Sequence, residues 1–345
     1  DKSLVHPNDH VNFGQSSNDV IPTSIHIAAS IEITKRLVPE LHELKKSLDQ
    51  KSKEFDSVIK IGRTHLQDAT PITLGQEFSG YSKMVDNSIN RIKSNLPFLY
   101  QLAQGGTAVG TGINTHKDFG KLIAQEISNI TNLDFVEADN HFEAQATQDS
   151  IVHLSGSLKT LSVSLYKIAN DIRWLGSGPR SGLGELILPT VQPGSSIMPG
   201  KVNPVICESL IQVTSQVIGY DSAITLGGLG GVFELNLMLP LIGSNILESI
   251  NILSNGIKMF RLKLIDDLKA NEKKCMGYIE DSLAMCTTLA PIIGYDKAAN
   301  IAKKAYNTDK TVREICVEEN VLSKEELQNI LDPYSMISPN DKNKK

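Results

Sequence analysis

Long apolar runs are missing from this chain. Nothing in its 345 residues approaches the ~20 consecutive apolar positions needed to cross a bilayer, so no membrane partner is expected. No signal peptide is visible at the start. Cysteine is sparse. Cys207, Cys275, Cys286 and Cys316 stand far apart, with no Cys-x-x-Cys pair for zinc or dithiol chemistry. They read as small buried hydrophobes in a reducing compartment, the cytoplasm in the first instance, with the mitochondrial matrix left open. An excess of positive charge is also lacking: 34 basic residues face 39 acidic ones, a net charge of −5. That balance leaves no electrostatic footprint for nucleic acid. The Lys342-to-Lys345 tail reads as a solvated end. Glycine-rich Gly105 to Gly112 has neither a preceding strand nor a Gly-Lys-Ser/Thr ending, which argues against a nucleotide loop. His6, Asp9 and His10 lack a second ligand group at helical spacing, so no metal site is expected.

What the chain does have is long amphipathic helices. Between Glu143 and Leu175, Ile151, Leu154, Leu158, Leu161, Leu165, Ile168, Ile172 and Leu175 alternate spacings of three and four. That seam suits near-parallel helix packing. Another helix is predicted from just after Asn18 to Phe55, with Pro22 in its first turn and a kink at Pro39, whose ring clashes with the preceding turn. Others are expected over Leu74 to Leu102, after Pro204, and over Phe233 to Phe260. Breaks at Gly105-Gly106, Gly227-Gly228 and Gly230-Gly231 separate them, and the pattern reads as an all-α bundle. Hairpin structure is expected near Thr107 to Asn114 or Leu186 to Gln192. Past Leu264 the helices shorten and charge rises. The segments Asp296 to Ala305, Thr311 to Val317 and Ser323 to Leu331 suggest a small helical domain, with Ser323 and Glu326 forming a capping box. The expected division is 1–265, a central helical bundle, and 266–345, a small C-terminal helical domain. His26, His42, His116, His141 and His153 sit in no motif and read as surface or satisfied-core histidines.

Chemistry concentrates in residues 194 to 204, Gly-Ser-Ser-Ile-Met-Pro-Gly-Lys-Val-Asn-Pro. This loop carries two hydroxyls (Ser195, Ser196), a cation (Lys201) and an amide (Asn203). Asn203 suits an N-cap and Pro204 the first helical position. A helix N-terminus offers free N–H groups and partial positive charge, so Lys201 beside one makes an anion site. The bland alternative is a capped helix whose hydroxyls satisfy the backbone.

The loop resembles the signature of the fumarase/aspartase superfamily. Two further blocks agree. One is His6-Pro7-Asn8-Asp9-His10-Val11-Asn12 with Gln15-Ser16-Ser17-Asn18-Asp19 and Pro22-Thr23. The other is Gly62-Arg63-Thr64-His65-Leu66-Gln67-Asp68-Ala69 with Pro71-Ile72-Thr73-Leu74-Gly75-Gln76-Glu77. Both resemble class II fumarases from about Val5 to the C-terminus. Aspartases typically carry Gln at the position of His65 and Thr at that of Ser17. The resemblance implies a long helix-bundle core with a small C-terminal helical domain, and a family N-terminal region, with its substrate-contacting Ser/Thr-rich loop, absent ahead of Asp1.

It also implies a fumarate hydratase, a carbon–oxygen lyase that interconverts fumarate and L-malate by anti addition or elimination of water through an aci-carboxylate. The alternatives are an aspartase-type ammonia-lyase or an inactive truncated assembly protein. Ser195 is implied as the base that takes the C3 proton. His65 works with a water at the leaving hydroxyl, oriented by Glu208. Ser16, Ser17, Asn18, Thr64, Ser196, Lys201, Val202 and Asn203 are implied to bind the dicarboxylate. His6, Pro7, Asn8 and Asp9 match a second dicarboxylate site. The family's sites lie where three chains of a homotetramer meet, and no cofactor is required.

Overall fold

A computed structural model describes residues 4–339, so the Lys342-to-Lys345 tail lies outside the described residues. The fold is all-α, with strands confined to short two-stranded pairs. It divides into two compact units, each drawn from three stretches of chain. The first comprises Asp1–Lys45, Lys83–Asn170 and Val205–Leu262, and the second Lys46–Ser82, Asp171–Pro204 and Lys263–Lys345.

Helix α1 (Ser17–Glu32) starts earlier than predicted, because Ser16 and Asp19 form a capping box that nucleates it. The expected single helix to Phe55 is interrupted. A π-helical turn, Ile33–Leu37, precedes α2 (Val38–Glu54). The wider turn lies immediately before Pro39, whose ring cannot donate to a regular α-turn and would crowd the carbonyl behind it. Strands β1 (Ile59–Thr64) and β2 (Gln67–Thr73) then form an antiparallel hairpin that periodicity did not predict. Helix α3 (Leu74–Lys93) stops short of Leu102. The short helix Leu96–Leu99 restarts with Pro97 in its first turn, where the missing N–H does no harm, and Gln101–Leu102 becomes a strand.

The seam residues Ile151 to Leu175 are all buried, as their spacing required. Their helix is Asp149–Leu175, while His141–Ala146 is a separate helix. Thr147 divides them, since its backbone is extended (φ −108°, ψ 167°). Val205–Gly228 starts one residue after Pro204, and Leu239–Phe260 replaces the predicted start at Phe233. A ribbon pairing Gly231–Val232 with Leu235–Asn236 takes up the difference. The expected hairpin near Thr107 is instead a series of turns. Leu186–Ile187 does form a strand, but its partner is distant Lys269–Ala270.

In the first unit, Ile25, Ala29 and Ile33 of α1 and the turn after it, and Ile242, Ile246 and Ile250 of Leu239–Phe260, are buried in the core, with Ser30 and Ser249 buried on the same elements. Asp221, almost buried, accepts hydrogen bonds from Ser155 Oγ (2.8 Å) and Lys159 Nζ (2.6 Å), tying two long helices together. In the second unit, Ile59 and Ile61 of the hairpin bury against Ile279, Leu289, Ile301, Ile315 and Leu327. The helices Tyr295–Thr308, Val312–Glu318 and Lys324–Ile330 match the three predicted segments, and the Ser323–Glu326 capping box is present.

Candidate active site

The hairpin β1–β2 presents Thr64 and His65 at its tip, both exposed. Its turn is tight. His65 and Leu66 are the two central residues and both have positive φ, 55° and 61°. Two-residue hairpins favour such turns because their twist matches the strands, yet Leu66 adopts this backbone far less readily than Gly or Asn does. Something outside the turn must therefore hold it. Gly62 faces a bulge in β2: Ile61 pairs with Pro71 and Arg63 with Asp68, so Ala69 and Thr70 stand opposite Gly62 alone, and a Cβ at Gly62 would lie 2.7 Å from the Thr70 carbonyl oxygen.

Beneath the turn lies a chain of buried charge. Arg63 donates twice to Glu185, Nη1 to Oε2 at 2.9 Å and Nη2 to Oε1 at 3.0 Å. Glu185 is 0 % exposed. Lys60, 1 % exposed, lies 3.3 Å from Glu77 and 3.6 Å from Glu185, and donates to the Ile61 carbonyl. Burial works against the Arg63 charge, but the hydrogen bonds and charge of Glu185 outweigh it and hold the guanidinium above the usual arginine pKa. Burial pushes the Glu77 carboxyl up, with Lys60 opposing it. Burial also pushes the neighbouring Cys275 thiol up to about 12, so it is no ready nucleophile. Arg63 stands within the Gly62-to-Ala69 motif, whereas nothing in the sequence singles out Glu185, because an isolated Glu in a Gly-rich stretch carries no local signal.

The Ser195 loop belongs to the same unit and closes on itself. Ser195 N donates to the Lys201 carbonyl at 3.1 Å, and Lys201 N to the Met198 carbonyl at 3.1 Å. Ser195 Oγ accepts from the amides of Ile197 (3.3 Å) and Met198 (3.2 Å). Gly194 is required here, since a Cβ would lie 2.5 Å from the Lys201 carbonyl oxygen. Ser196, Lys201 and Val202 are exposed, and Asn203 is half-buried just ahead of the helix Val205–Gly228. The loop thus places one hydroxyl oxygen under two oriented N–H donors and leaves the second hydroxyl and the cation open to solvent.

In the first unit, Glu208 is half-buried in the first turn of Val205–Gly228, a favourable end for a carboxylate. Ser16 caps α1, accepting from Asn18 N at 3.2 Å, and Asn18 Nδ2 donates to the Ala108 carbonyl at 2.8 Å. Ser17 is exposed beside them. Asp19 closes the Gln15-to-Asp19 block, but its sequence context gave it no role of its own. Fully buried, its Oδ2 accepts from Gln104 Nε2 and from the amides of Gly105 and Thr107, at 3.2, 3.1 and 2.9 Å. Those glycine-rich amides are thereby occupied by a carboxylate of the chain itself. His6, Pro7, Asn8 and Asp9 share one π-helical turn, in which His6 Nδ1 accepts the amides of Asn8 and Asp9, both at 3.2 Å. The Asp9 carboxylate lies 3.3 Å from the same ring nitrogen. His26 is a satisfied core histidine: Nδ1 lies 3.1 and 3.0 Å from the Leu99 and Gln101 carbonyl oxygens, and burial lowers its pKa.

Residues 2–219 match a family model described as Lyase, and residues 285–338 one described as Fumarase C C-terminus. Fumarate hydratase 2 of Arabidopsis thaliana is 52% identical over 340 residues, covering 99% of this chain and 68% of its own length. A class II fumarate hydratase of Nitrosomonas europaea is 51% identical over 332 residues, 96% of this chain and 72% of its own. The crystal structure of recombinant class II fumarase from Schistosoma mansoni superposes with a TM-score of 0.92 at 40% identity, covering 98% of this chain and 74% of that one. With about half of its residues identical to these relatives over nearly its whole length, the chain belongs to the class II fumarate hydratase family.

Proposed function

We propose that this chain is a fumarate hydratase that interconverts fumarate and L-malate as a carbon–oxygen lyase. The observation that carries the mechanism is the pair of amides on Ser195 Oγ. A serine hydroxyl is a poor base at neutral pH, and it serves only where its alkoxide is stabilised by oriented N–H groups and a cation. The Ile197 and Met198 amides supply the first, and Lys201 supplies the second. Ser195 takes the C3 proton. Charge then builds on the adjacent carboxylate as an aci-carboxylate, and Lys201, Asn203 and the backbone of Val202 receive it. Ser16, Ser17, Asn18, Thr64 and Ser196 orient the dicarboxylate with neutral hydrogen bonds. His65, oriented by Glu208, delivers a proton through water to the leaving hydroxyl, and anti geometry follows from placing base and acid on opposite sides of the substrate. His6, Pro7, Asn8 and Asp9 are proposed as a second dicarboxylate site.

The test is fumarate formation, followed by its ultraviolet absorbance, from L-malate and from L-aspartate. Malate turnover with none from aspartate is the expected outcome. Turnover of aspartate instead means the aspartase-type reading, and a folded protein active on neither means an assembly role.

We propose further that the chain works as a homotetramer with three chains contributing to each site. Apolar residues left exposed on the single chain support this. Val163, Tyr166 and Trp174 share one face of Asp149–Leu175 at 57, 41 and 46 % exposure, and Leu226, Leu229 and Phe233 reach 63, 78 and 88 %. Apolar surface gathered in this way marks an interface. Light scattering at micromolar concentration is expected to give four times the chain mass, and a stable monomer would refute the assembly. All four cysteines are buried thiols, which fits the proposed cytoplasmic location.

A further inference from the structure

The strain in the His65 turn and the buried charge beneath it belong together. Arg63 stands two residues before His65 on β1, and Glu185 ten residues before Ser195. The two side chains meet in a bidentate bond 122 positions apart in sequence. Glu185 is itself rigidly seated. Its carbonyl accepts from Asn271 N at 2.8 Å, and the next residue, Leu186, pairs with Ala270. The Arg63 guanidinium lies 5.7 Å from the centre of the Tyr278 ring. The Tyr278 hydroxyl in turn donates to the Leu183 carbonyl at 3.0 Å, two residues from Glu185. Arg63 therefore has an aromatic face on one side and a fixed carboxylate fork ahead of it.

A planar fork on a carboxylate sets direction as well as distance, which a lysine cannot do. Lys60 adds a second cation to the same carboxylate from two pleats away. Lys60 and Arg63, three residues apart on β1, both reach Glu185, and the register shifts between them where Ala69 and Thr70 of β2 stand opposite Gly62. Bulge, fork and strained turn are thus parts of one hairpin.

We propose that Arg63 and Glu185 are positioning residues. Their clamp joins the hairpin carrying Thr64 and His65 to the chain segment that leads into the Ser195 loop, and so sets the geometry of two proposed catalytic groups at once. This rests on the reading of His65 and Ser195 as catalytic. Neither Arg63 nor Glu185 touches substrate in this account.

The test uses Arg63→Lys and Glu185→Asp, which keep both charges and lose the fork. Misplacement of a reacting group by about 1 Å costs roughly 10²-fold. Each variant is expected to lower kcat for malate by about 10–100-fold, with KM changed far less. The ring resonance of His65 in selectively labelled protein is expected to move in both. Ile315→Val, in the apolar core of the same unit, is the control for stability. It should lower the melting temperature without moving kcat or the His65 resonance. The clamp proposal is overturned if Arg63→Lys keeps wild-type kcat with an unmoved His65 resonance, or if Ile315→Val loses as much kcat. A wild-type chain that forms no fumarate overturns the functional reading instead. In that case the His65 resonance still decides the clamp, a moved signal supporting it and an unmoved one refuting it.

Discussion

Ser195→Ala is expected to lower malate turnover by about 10²–10⁴-fold, the usual cost of losing a proton-transfer group. Ser196→Ala should change it little and instead raise KM. The two neighbours differ because the loop treats them differently. Ser195 Oγ accepts two amides, which prepares it to carry negative charge, whereas Ser196 is exposed and makes at most a neutral contact with substrate. Loss of one neutral hydrogen bond is worth roughly 0.5–1.5 kcal/mol, a factor of about 2–12 in binding. The amides on Ser195 also shape the turn, so the alanine could loosen the loop as well as remove the base. A kcat and KM split separates these effects. A loosened loop weakens binding of the dicarboxylate, whereas a lost base leaves KM near normal and abolishes exchange of the malate C3 proton with solvent. Lys201→Met should harm both constants, since it takes charge from substrate and alkoxide alike. Near-normal turnover in Ser195→Ala, with the parent active, means the base lies elsewhere.

His65→Asn and Glu208→Gln should each reduce turnover by about 10²–10⁴-fold with the fold intact, and the double variant should be scarcely worse than either one. Asparagine is the apt replacement at His65. It removes the imidazole, and it tolerates the positive φ of 55° better than histidine does, so the hairpin should keep its turn. Glutamine at 208 keeps the shape of a half-buried side chain and gives up only its favourable interaction with the helix N-terminus, about 0.3–1 kcal/mol at such a site. Folding effects of both changes are therefore small, and what remains reports on chemistry. Groups that act as a unit lose their function once, not twice. Losses that multiply in full in the double variant would falsify the pairing, and circular dichroism on each protein guards against a trivial cause.

Helices were legible where one face alone determines them. The buried seam from Ile151 to Leu175 and the three short C-terminal helices follow from spacing, because a helix is built from contacts three and four residues apart. Helix ends were less legible. Ser16 starts α1 through a side chain that could equally have been read as part of a binding motif, and Thr147 splits a continuous apolar pattern by its backbone alone. The hairpin β1–β2 was missed. Its residues Ile59 to Thr64 are buried at four successive positions rather than alternating, so the two-residue period that announces a half-exposed strand is absent.

The candidate site divides along the same line. From the sequence alone come the residue types needed for a dicarboxylate lyase, an all-α bundle, membership of a family and the division of labour proposed between Ser195 and His65. These are local signals or direct resemblance, and they require no knowledge of what touches what. Only the tertiary structure decided that Ser195 Oγ sits under two amides, that Asp19 occupies the amides of the glycine-rich turn, and that His65 stands in a strained turn. It alone decided that Glu185 faces Arg63. A buried carboxylate and the guanidinium that neutralises it must meet, because a buried charge left alone is costly. Nothing in the residues around either one says where along the chain the other will be found.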